Sequence, residues 1–475
     1  MASEQAELLI FFLPYLAPGH MIPTLDLARL LATGGIKCTI VTTPLKIPFF
    51  AEAIEETDTQ NLSIKINLLS VKFPYEEAGF PKECKSTENF FKAITDLQHP
   101  FGALMEEHHP NCLIADFQFP WAYSIAKKLG IPCLSFDGCS YTYPCVVSSL
   151  NRYKPYREVS SDSEQFVVPG LPHEIKLRKA ELAPYEKGEC ESWMVELVDR
   201  LWEGQRECYG VIKNSFYELE SDYADYFGNT LGLKHWHIGP LFLYFDQDDE
   251  RRSIEKQQPS IDADECLRWL DEKQDNSVIY ICFGSMSNIS DTQLDEIATA
   301  LESVAHNFIL VVKNKQGDSR GWDPDGFEDR VKGRGLVIRG WAPQRLILAH
   351  RATGGFVTHC GWNSVLEGVV YGLPMVTWPR HAEQFYNEKL VTDVLRIGVP
   401  VGVQGWAGIK GENGDVVVGK DDIVKAIGKI MAGKEADDMR NRVKKLKEMA
   451  RCATQEGGSS FSDFTALVQE LKACR

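Results

Sequence analysis

Short apolar runs separated by amphipathic segments recur through the first half of the chain. Residues 8–13 form a continuous apolar run with the length of a buried strand, and residues 22–32 place Leu25, Ala28 and Leu31 on one helical face. Further strands are predicted at residues 37–43, 111–116 and 133–136. Because strands buried on both faces have this apolar character, the pattern predicts a parallel, doubly wound sheet with helices on both sides.

A second series of strands and helices follows a charged segment. Residues 246–264, DQDDERRSIEKQQPSIDAD, contain proline and show no apolar period, which is typical of an interdomain linker. Beyond them, strands are predicted at residues 278–283, 308–312, 335–338, 355–358 and 374–377. We therefore expect an α/β fold of two doubly wound domains, at residues 1–245 and 265–455, followed by a helical segment at residues 456–475.

Two long stretches interrupt the first series. Residues 73–91 and 141–187 are aromatic and rich in proline and glycine, and they show no sustained period. We interpret them as loops and short helices that wall a pocket for a small molecule.

The composition narrows the class of partner. The chain has 475 residues, 44% of them hydrophobic, and a net charge of −16, which argues against nucleic acid or an anionic membrane as partner. Its 13 cysteines are odd in number and form no CxxC pair, which is typical of scattered, reduced thiols in a cytosolic protein. Residues 1–6 lack a basic segment and the run at 8–13 is too short to span a bilayer. These features predict a cytoplasmic protein without membrane insertion.

The stretch from Trp341 to Gln384 carries a candidate binding site. The apolar residues 354–357 end in Thr358 and His359, and residues 363–371 follow with helical spacing. At a junction between a strand and a helix, the first free N–H groups and the positive end of the helix dipole favour a phosphate. The junction therefore predicts a diphosphate site, to which His359, Asn363 and Ser364 add side-chain donors.

Polar and aromatic residues on both sides of this junction extend the site. Trp341 can stack on a planar base, and Gln344 and Glu367 can bond ribose hydroxyls. Glu383 and Gln384 suit the hydroxyls of a sugar. Simpler interpretations stay open: Trp341 as a buried aromatic, Asn363 and Ser364 as helix N-caps, and Glu383 and Gln384 as an ordinary helix start.

A candidate general base lies in the first half of the chain. His20 follows the first predicted strand, and Asp116 ends a neighbouring one. In doubly wound sheets, ligands bind at this edge, where a carboxylate can orient an imidazole and stabilise its protonated form. Taken alone, however, an aspartate after a strand is more often a helix N-cap.

The motifs resemble those of plant UDP-dependent glycosyltransferases along almost the whole chain. The resemblance lies in HCGWNS with the closing EQ, in PYLAPGH, FPYEEAGFP, NSFYELE and HIGPL, and in FGS at residues 283–285. It implies the GT-B fold, in which two Rossmann-like domains face each other across a cleft and the last helix returns to the N-terminal domain. It also implies transfer of a sugar from a UDP donor to a small acceptor.

The resemblance assigns a role to each matching residue. His20 and Asp116 correspond to the family's base and its orienting acid. The residues that correspond to phosphate contacts are Ser285, His359, Trp362, Asn363 and Ser364. Trp341, Ala342 and Gln344 correspond to uracil and ribose contacts, and Glu383 and Gln384 to sugar contacts, with glutamine at the last place associated with glucose.

We therefore expect an inverting UDP-glucose-dependent O-glucosyltransferase that acts on a small hydrophobic plant aglycone, either triterpenoid or steroid, or flavonoid or phenolic. Arg380 and His381 depart from the usual apolar pair: they are either solvated or positioned to meet the carboxylate of UDP-glucuronic acid. UDP-galactose and a non-catalytic sugar-nucleotide-binding protein are further alternatives.

Two segments resemble metal sites only superficially. Asp262 and Asp264 imitate a DxD motif, but they directly precede a helical pattern and are better explained as a helix cap. Residues 106–109, EEHH, lack the spacing of a tetrahedral site. We expect no metal or other cofactor, UDP-glucose as co-substrate, and a monomer.

Overall fold

The computed structural model describes residues 8–58, 66–72, 87–245, 261–284, 289–313, 326–407 and 417–473. Two parallel sheets, one in each half of the chain, organise these residues. The FPYEEAGFP motif and most of the predicted linker lie outside the described residues.

Seven strands form the N-terminal sheet, in the order β3-β2-β1-β4-β5-β8-β9, and all their pairings are parallel. In this sheet Leu13 of β1 is in register with Ala115 of β4. The strands are β1 Leu9–Leu13, β2 Lys37–Thr42, β3 Ile66–Ser70, β4 Cys112–Asp116, β5 Cys133–Asp137, β8 Gly210–Lys213 and β9 His235–His237.

Successive residues of β1 belong to different cores. Ile10 and Phe12 pack in one hydrophobic cluster, whereas Phe11 and Leu13 pack in another. Because side chains alternate across a strand, this division means that apolar layers cover both faces of the sheet. The helices of this half are α1 Pro18–Thr33, α2 Ile47–Asp58, α3 Thr87–Asp96, α4 Gln98–His108, α5 Pro120–Lys128, α6 Thr142–Tyr153, α7 Pro184–Lys187, α8 Ser192–Glu207 and α9 Tyr217–Asn229.

Six strands form the C-terminal sheet, again all parallel, in the order β12-β11-β10-β13-β14-β15. Val278 and Tyr280 of its first strand pack on one face, and Ile279 and Ile281 pack on the other. The strands are β10 Val278–Cys282, β11 Asn307–Val312, β12 Gly335–Arg339, β13 Thr353–Thr358, β14 Met375–Thr377 and β15 Gly398–Pro400. The two-domain doubly wound architecture predicted from the apolar pattern is confirmed.

The last helix packs against the N-terminal sheet. Leu467 and Leu471 are buried in the same cluster as Ile10 and Phe12. The helices of the second half are α10 Ala263–Asp271, α11 Asp291–Ser303, α12 Phe327–Arg330, α13 Gln344–Ala349, α14 Trp362–Tyr371, α15 Gln384–Lys389, α16 Lys420–Met431, α17 Lys434–Thr454 and α18 Ser459–Ala473. The boundaries of the linker remain predictions, although α10 already includes Ala263 and Asp264.

Two local predictions were wrong. The helix after β1 begins at Pro18 rather than near residue 22, because a proline at the first helical position has the helical φ and needs no N–H partner. His20 therefore lies in its first turn. The stretch at residues 141–187 is also more regular than predicted: it contains α6 and an antiparallel hairpin of β6 Gln165–Val168 and β7 Ile175–Arg178.

Among the described residues, the helices are too short or too polar for any of them to be a candidate for crossing a bilayer.

Candidate functional site

Each sheet changes its winding direction beside its first strand. In the N-terminal sheet β1 lies between β2 and β4, and in the C-terminal sheet β10 lies between β11 and β13. At such a switch point, the loops after the two neighbouring strands diverge and leave a crevice at their carboxyl ends. The residues at these points are His20 after β1, Asp116 at the end of β4, Gly284 after β10 and His359 after β13.

His20 and Asp116 form a hydrogen-bonded pair. Nδ1 of His20 lies 2.7 Å from Oδ2 of Asp116. Asp116 is buried, and its Oδ1 accepts from the backbone N–H of Gln118 at 3.0 Å. It is not a helix N-cap, because α5 is capped by Phe119. A carboxylate at Nδ1 favours the tautomer with the proton on that nitrogen, which makes Nε2 the basic atom.

The surroundings of His20 raise its pKa above the ordinary 6.5. Burial lowers the pKa, but the charge of Asp116 and the hydrogen bond to it outweigh burial, together with the more distant carboxylates of Glu383 and Asp137. Glu383 belongs to the C-terminal half. His20 therefore lies near the place where the two domains meet.

His359 occupies a space that two glycines leave open. A Cβ at Gly284 would lie 2.5 Å from Cε1 of the His359 ring, and a Cβ at Gly361 would lie 2.5 Å from its Nε2. Gly284 also has φ +74°, which favours glycine. These two positions hold the ring beside the N-terminus of α14, for which Gly361 is the N-cap.

The pKa of His359 is lowered to about 3 by burial first, and then by His381 and Lys313. The ring is therefore neutral near pH 7 and can donate a hydrogen bond without carrying a charge. Asn363 and Ser364 are not the N-cap of α14: Gly361 occupies that position, and no side chain makes a capping hydrogen bond there. Ser285, the remaining predicted phosphate contact, lies outside the described residues.

The predicted base and ribose contacts lie together beside α14. Trp341 is 37% exposed, so it is not the buried aromatic of the simpler interpretation. Nε2 of Gln344 donates to Oε2 of Glu367 at 2.5 Å and approaches Oγ of Ser364 at 3.4 Å. Ala342 is buried next to them. An accessible indole next to paired amide and carboxylate groups can bind a base and its ribose.

The two predicted sugar contacts differ in environment. Glu383 lies close enough to His20 to affect its pKa, and its own pKa is raised, mainly by burial. Gln384 is 4% exposed, and its Oε1 accepts the backbone N–H groups of Arg380 and His381 at 2.9 and 3.1 Å. Its carbonyl oxygen therefore stabilises the turn, and only its Nε2 can serve a sugar hydroxyl.

Two neighbouring residues at the start of α14 contact the N-terminal domain. The indole N–H of Trp362 donates to the carbonyl oxygen of Asn214 at 2.8 Å, and the side chain is 2% exposed. Nδ2 of Asn363 donates to the carbonyl oxygen of Gly19 at 2.8 Å, directly before His20. The Trp362 side chain is thus part of the domain interface, so that a phosphate contact by this residue would have to come from its backbone N–H. Asn363 connects the candidate phosphate site to the His20 turn.

Arg380 and His381 are buried, at 5% and 7% exposure, so the interpretation as solvated cations was wrong. Burial, followed by Arg380 and Lys313, lowers the pKa of His381 to about 4. Lys313, which was not predicted as a site residue, follows β11 and lowers the pKa of both histidines. Lys313 could have been predicted, because it is a basic residue directly after a strand whose carboxyl end lies at the same edge of the sheet as the site.

The two apparent metal motifs both lie at the ends of helices. Oδ1 of Asp262 accepts the backbone N–H of Asp264 at 2.9 Å as the N-cap of α10, which confirms the predicted cap. Glu106 and its neighbours lie in the last turn of α4, and the left-handed residue His109 follows that helix as its C-cap. Within the described ranges, no group of three histidines, cysteines or acids is arranged to hold a metal ion. Metal independence remains a prediction.

The chain is similar to known proteins over nearly its full length. The family described as "UDP-glucoronosyl and UDP-glucosyl transferase" matches residues 254–401. A scopoletin glucosyltransferase of Nicotiana tabacum is 47% identical over 474 residues, which cover 98% of this chain and 98% of that protein.

Solved structures share the fold. A Glycyrrhiza uralensis glycosyltransferase, complexed with glycyrrhetinic acid 3-O-monoglucuronide, is 38% identical with a TM-score of 0.89, covering 98% of this chain and 96% of that chain. A Phytolacca americana transferase, complexed with UDP-2fluoro-glucose and pterostilbene, is 25% identical with a TM-score of 0.77, covering 98% and 99% of the two chains.

Proposed function

The chain belongs to the plant UDP-glycosyltransferase family, and from this premise we propose that it is an inverting O-glucosyltransferase that transfers glucose from UDP-glucose to a small hydrophobic aglycone. The observation that carries the proposal is the contact between the two halves of the site. Asn363, at the N-terminus of α14, is hydrogen-bonded to the residue before His20. The candidate phosphate site and the candidate base are therefore neighbours.

The proposed reaction is a single in-line displacement. Nε2 of His20 removes the proton of the acceptor hydroxyl, and Asp116 stabilises the imidazolium that forms. The hydroxyl oxygen attacks the anomeric carbon as the bond from that carbon to the β-phosphate oxygen breaks. Inversion of an α-linked donor gives a β-glucoside and UDP.

The leaving diphosphate gains negative charge as this bond breaks. The N–H groups and dipole of α14, together with the neutral N–H of His359 and the hydroxyl of Ser364, supply donors for that charge. Ser285 is the further donor suggested by the resemblance. Because these donors are built into the fold, they need little rearrangement during the reaction.

A hydrophobic acceptor fits the relatives and the local surroundings. The names of the relatives include scopoletin, glycyrrhetinic acid 3-O-monoglucuronide and pterostilbene, which are ring compounds with hydroxyl groups. In this chain the ring of Tyr15 lies edge-on to His20, with 5.1 Å between ring centroids, and also contacts Phe119. An aromatic surface next to the base suits a flat or fused-ring aglycone, either triterpenoid or steroid, or flavonoid or phenolic.

The test is incubation with UDP-glucose and a panel of hydroxylated aglycones, with products identified by mass. The proposal predicts a product one hexose heavier than its aglycone, with β configuration by NMR. UDP-glucose binding without any product across the panel would instead support a non-catalytic sugar-nucleotide-binding protein.

UDP-glucuronic acid is the second candidate donor, because Arg380 is buried and permanently charged next to the Glu383–Gln384 pair. The neutral state expected for His381 argues against it, since this residue then adds no charge for the carboxylate. Competition among UDP-glucose, UDP-glucuronic acid and UDP-galactose shows which donor the protein prefers. Faster turnover with UDP-glucuronic acid would replace glucose in the proposal.

A further inference from the structure

A buried chain of hydrogen bonds connects the two domains beside the site. Oγ of Ser140 donates to Oδ1 of Asn387 at 2.8 Å, and Nδ2 of Asn387 donates to the carbonyl oxygen of Cys360 at 2.9 Å. All three residues are 0% exposed. Ser140 follows β5 of the N-terminal domain, whereas Asn387 lies in α15 and Cys360 lies between β13 and α14. One amide side chain thus joins the domains.

The turn at Cys360 requires support. Its φ is +64°, in the left-handed region that a residue with a Cβ adopts only where its surroundings hold it. Its N–H donates to Oγ1 of Thr358 at 3.2 Å, and Asn387 holds its carbonyl oxygen. This turn sets the direction of His359 before it and of Gly361, the N-cap of α14, after it. The carbonyl bond from Asn387 therefore helps to aim the phosphate donors.

Hydrogen bonds within the N-terminal domain hold Ser140 in place. Nζ of Lys213 donates to Oδ2 of Asp137 at 2.6 Å and to the carbonyl oxygens of Ser140 and Cys139 at 3.1 and 3.3 Å. The backbone N–H of Tyr143 donates to Oγ of Ser140 at 3.2 Å, which leaves the hydroxyl hydrogen for Asn387. Ser140 is therefore a fixed donor rather than a mobile one.

We propose that Ser140 and Asn387 are positioning residues for the donor diphosphate: Ser140 orients the Asn387 amide, which in turn holds the Cys360 turn that aims His359 and the N-terminus of α14. The inference rests on the proposed function. Because both side chains are fully buried, neither contacts a substrate, and they act through the turn. Affinity for the donor then depends on a serine of the acceptor-side domain.

The test compares UDP binding by calorimetry in the wild-type protein and in two alanine variants. Ser140→Ala removes the donor to Asn387 and is expected to weaken UDP binding about fivefold. Ser149→Ala is the matched control, because Ser149 is also buried but its Oγ donates at 2.5 Å to the carbonyl oxygen of Pro169 in the same domain. The control is expected to bind UDP like the wild type, whatever its change in Tm.

A second substitution tests the other bond. Asn387→Asp keeps the acceptor for Ser140 but sets a carboxylate oxygen against the Cys360 carbonyl, and it too is expected to weaken UDP binding. Adding Ser140→Ala to Asn387→Asp is expected to reduce UDP affinity less than Ser140→Ala does in the wild type, because the hydrogen bond to Cys360 is already lost. Wild-type UDP affinity in Ser140→Ala, or an equal loss in Ser149→Ala, would overturn the inference while leaving glucosyl transfer intact. If the wild type itself does not bind UDP, the proposed function fails, and the inference fails with it.

Discussion

Two histidines at the corresponding edges of the two sheets have opposite electrostatic environments. His20 lies after the first strand of the N-terminal sheet, and Asp116 raises its pKa against the effect of burial. His359 lies after β13 of the C-terminal sheet, and burial with His381 and Lys313 lowers its pKa to about 3. The difference gives the two rings separate tasks: the first can accept a proton, and the second stays neutral and donates a hydrogen bond.

The two sides also differ in how they are assembled. The donor side takes most of its backbone N–H groups and side chains from one continuous stretch, residues 341–384. More distant residues, among them Gly284 and Ser140, support that stretch. The acceptor side pairs residues that are 96 positions apart, and only the sheet brings them together. Substitutions of His20 and Asp116 should therefore affect the chemical step, whereas those on the donor side should affect UDP affinity. Ser140→Ala should also affect UDP affinity, because Ser140 acts on the donor side through Asn387.

The largest expected effect comes from Asp116→Asn. The amide cannot stabilise the imidazolium of His20 and permits the wrong tautomer, so kcat should fall by roughly 10³-fold. The KM for UDP-glucose should remain close to that of the wild type. Steady-state kinetics at saturating acceptor measures both, and a change confined to the donor KM would contradict the division between the two sides.

Trp341→Ala should have the converse effect. Loss of stacking under the base is expected to raise the UDP dissociation constant about tenfold, with little change in kcat at saturating donor. Trp269→Ala is a suitable control, because that tryptophan packs against the core of the same domain and contacts Lys273. Equal UDP affinity in wild type and Trp341→Ala would remove the tryptophan from the site.

The smallest effect concerns pH. His20 must be unprotonated to act as a base, so kcat/KM should fall as the pH drops through its pKa, which lies above the ordinary value because of Asp116. In Asp116→Asn the opposing effect of burial remains, so the acid limb of the residual activity should move to lower pH. A limb that stays in place, or moves upward, would show that another group titrates.

The sequence predicted the parts of the fold and site that depend on local patterns. Apolar runs identified nine of the 13 strands in the two sheets but not β3, β8, β9 or β15. The strand-to-helix junction identified the candidate phosphate site. The hairpin of β6 and β7 was missed although Phe166, Val168, Ile175 and Leu177 are buried at alternating positions, because its flanking prolines and glycines led to a loop assignment.

Other features could not be predicted because they depend on distant partners. The indole of Trp362 is bonded to Asn214, 148 positions away, and Ser140 is bonded to Asn387, 247 positions away. The sequence likewise could not show that Gln384 turns its carbonyl oxygen towards the backbone of its own turn. Such contacts form only when the chain has folded and the two domains meet.

The most direct test of the account is His20→Ala, with turnover and UDP binding measured on the same preparation. Turnover with UDP-glucose should fall about as far as in Asp116→Asn, by roughly 10³-fold, while calorimetry gives an unchanged UDP dissociation constant. Near-normal turnover with intact UDP binding would contradict the assignment of His20 as the base that serves the donor held by the opposite domain.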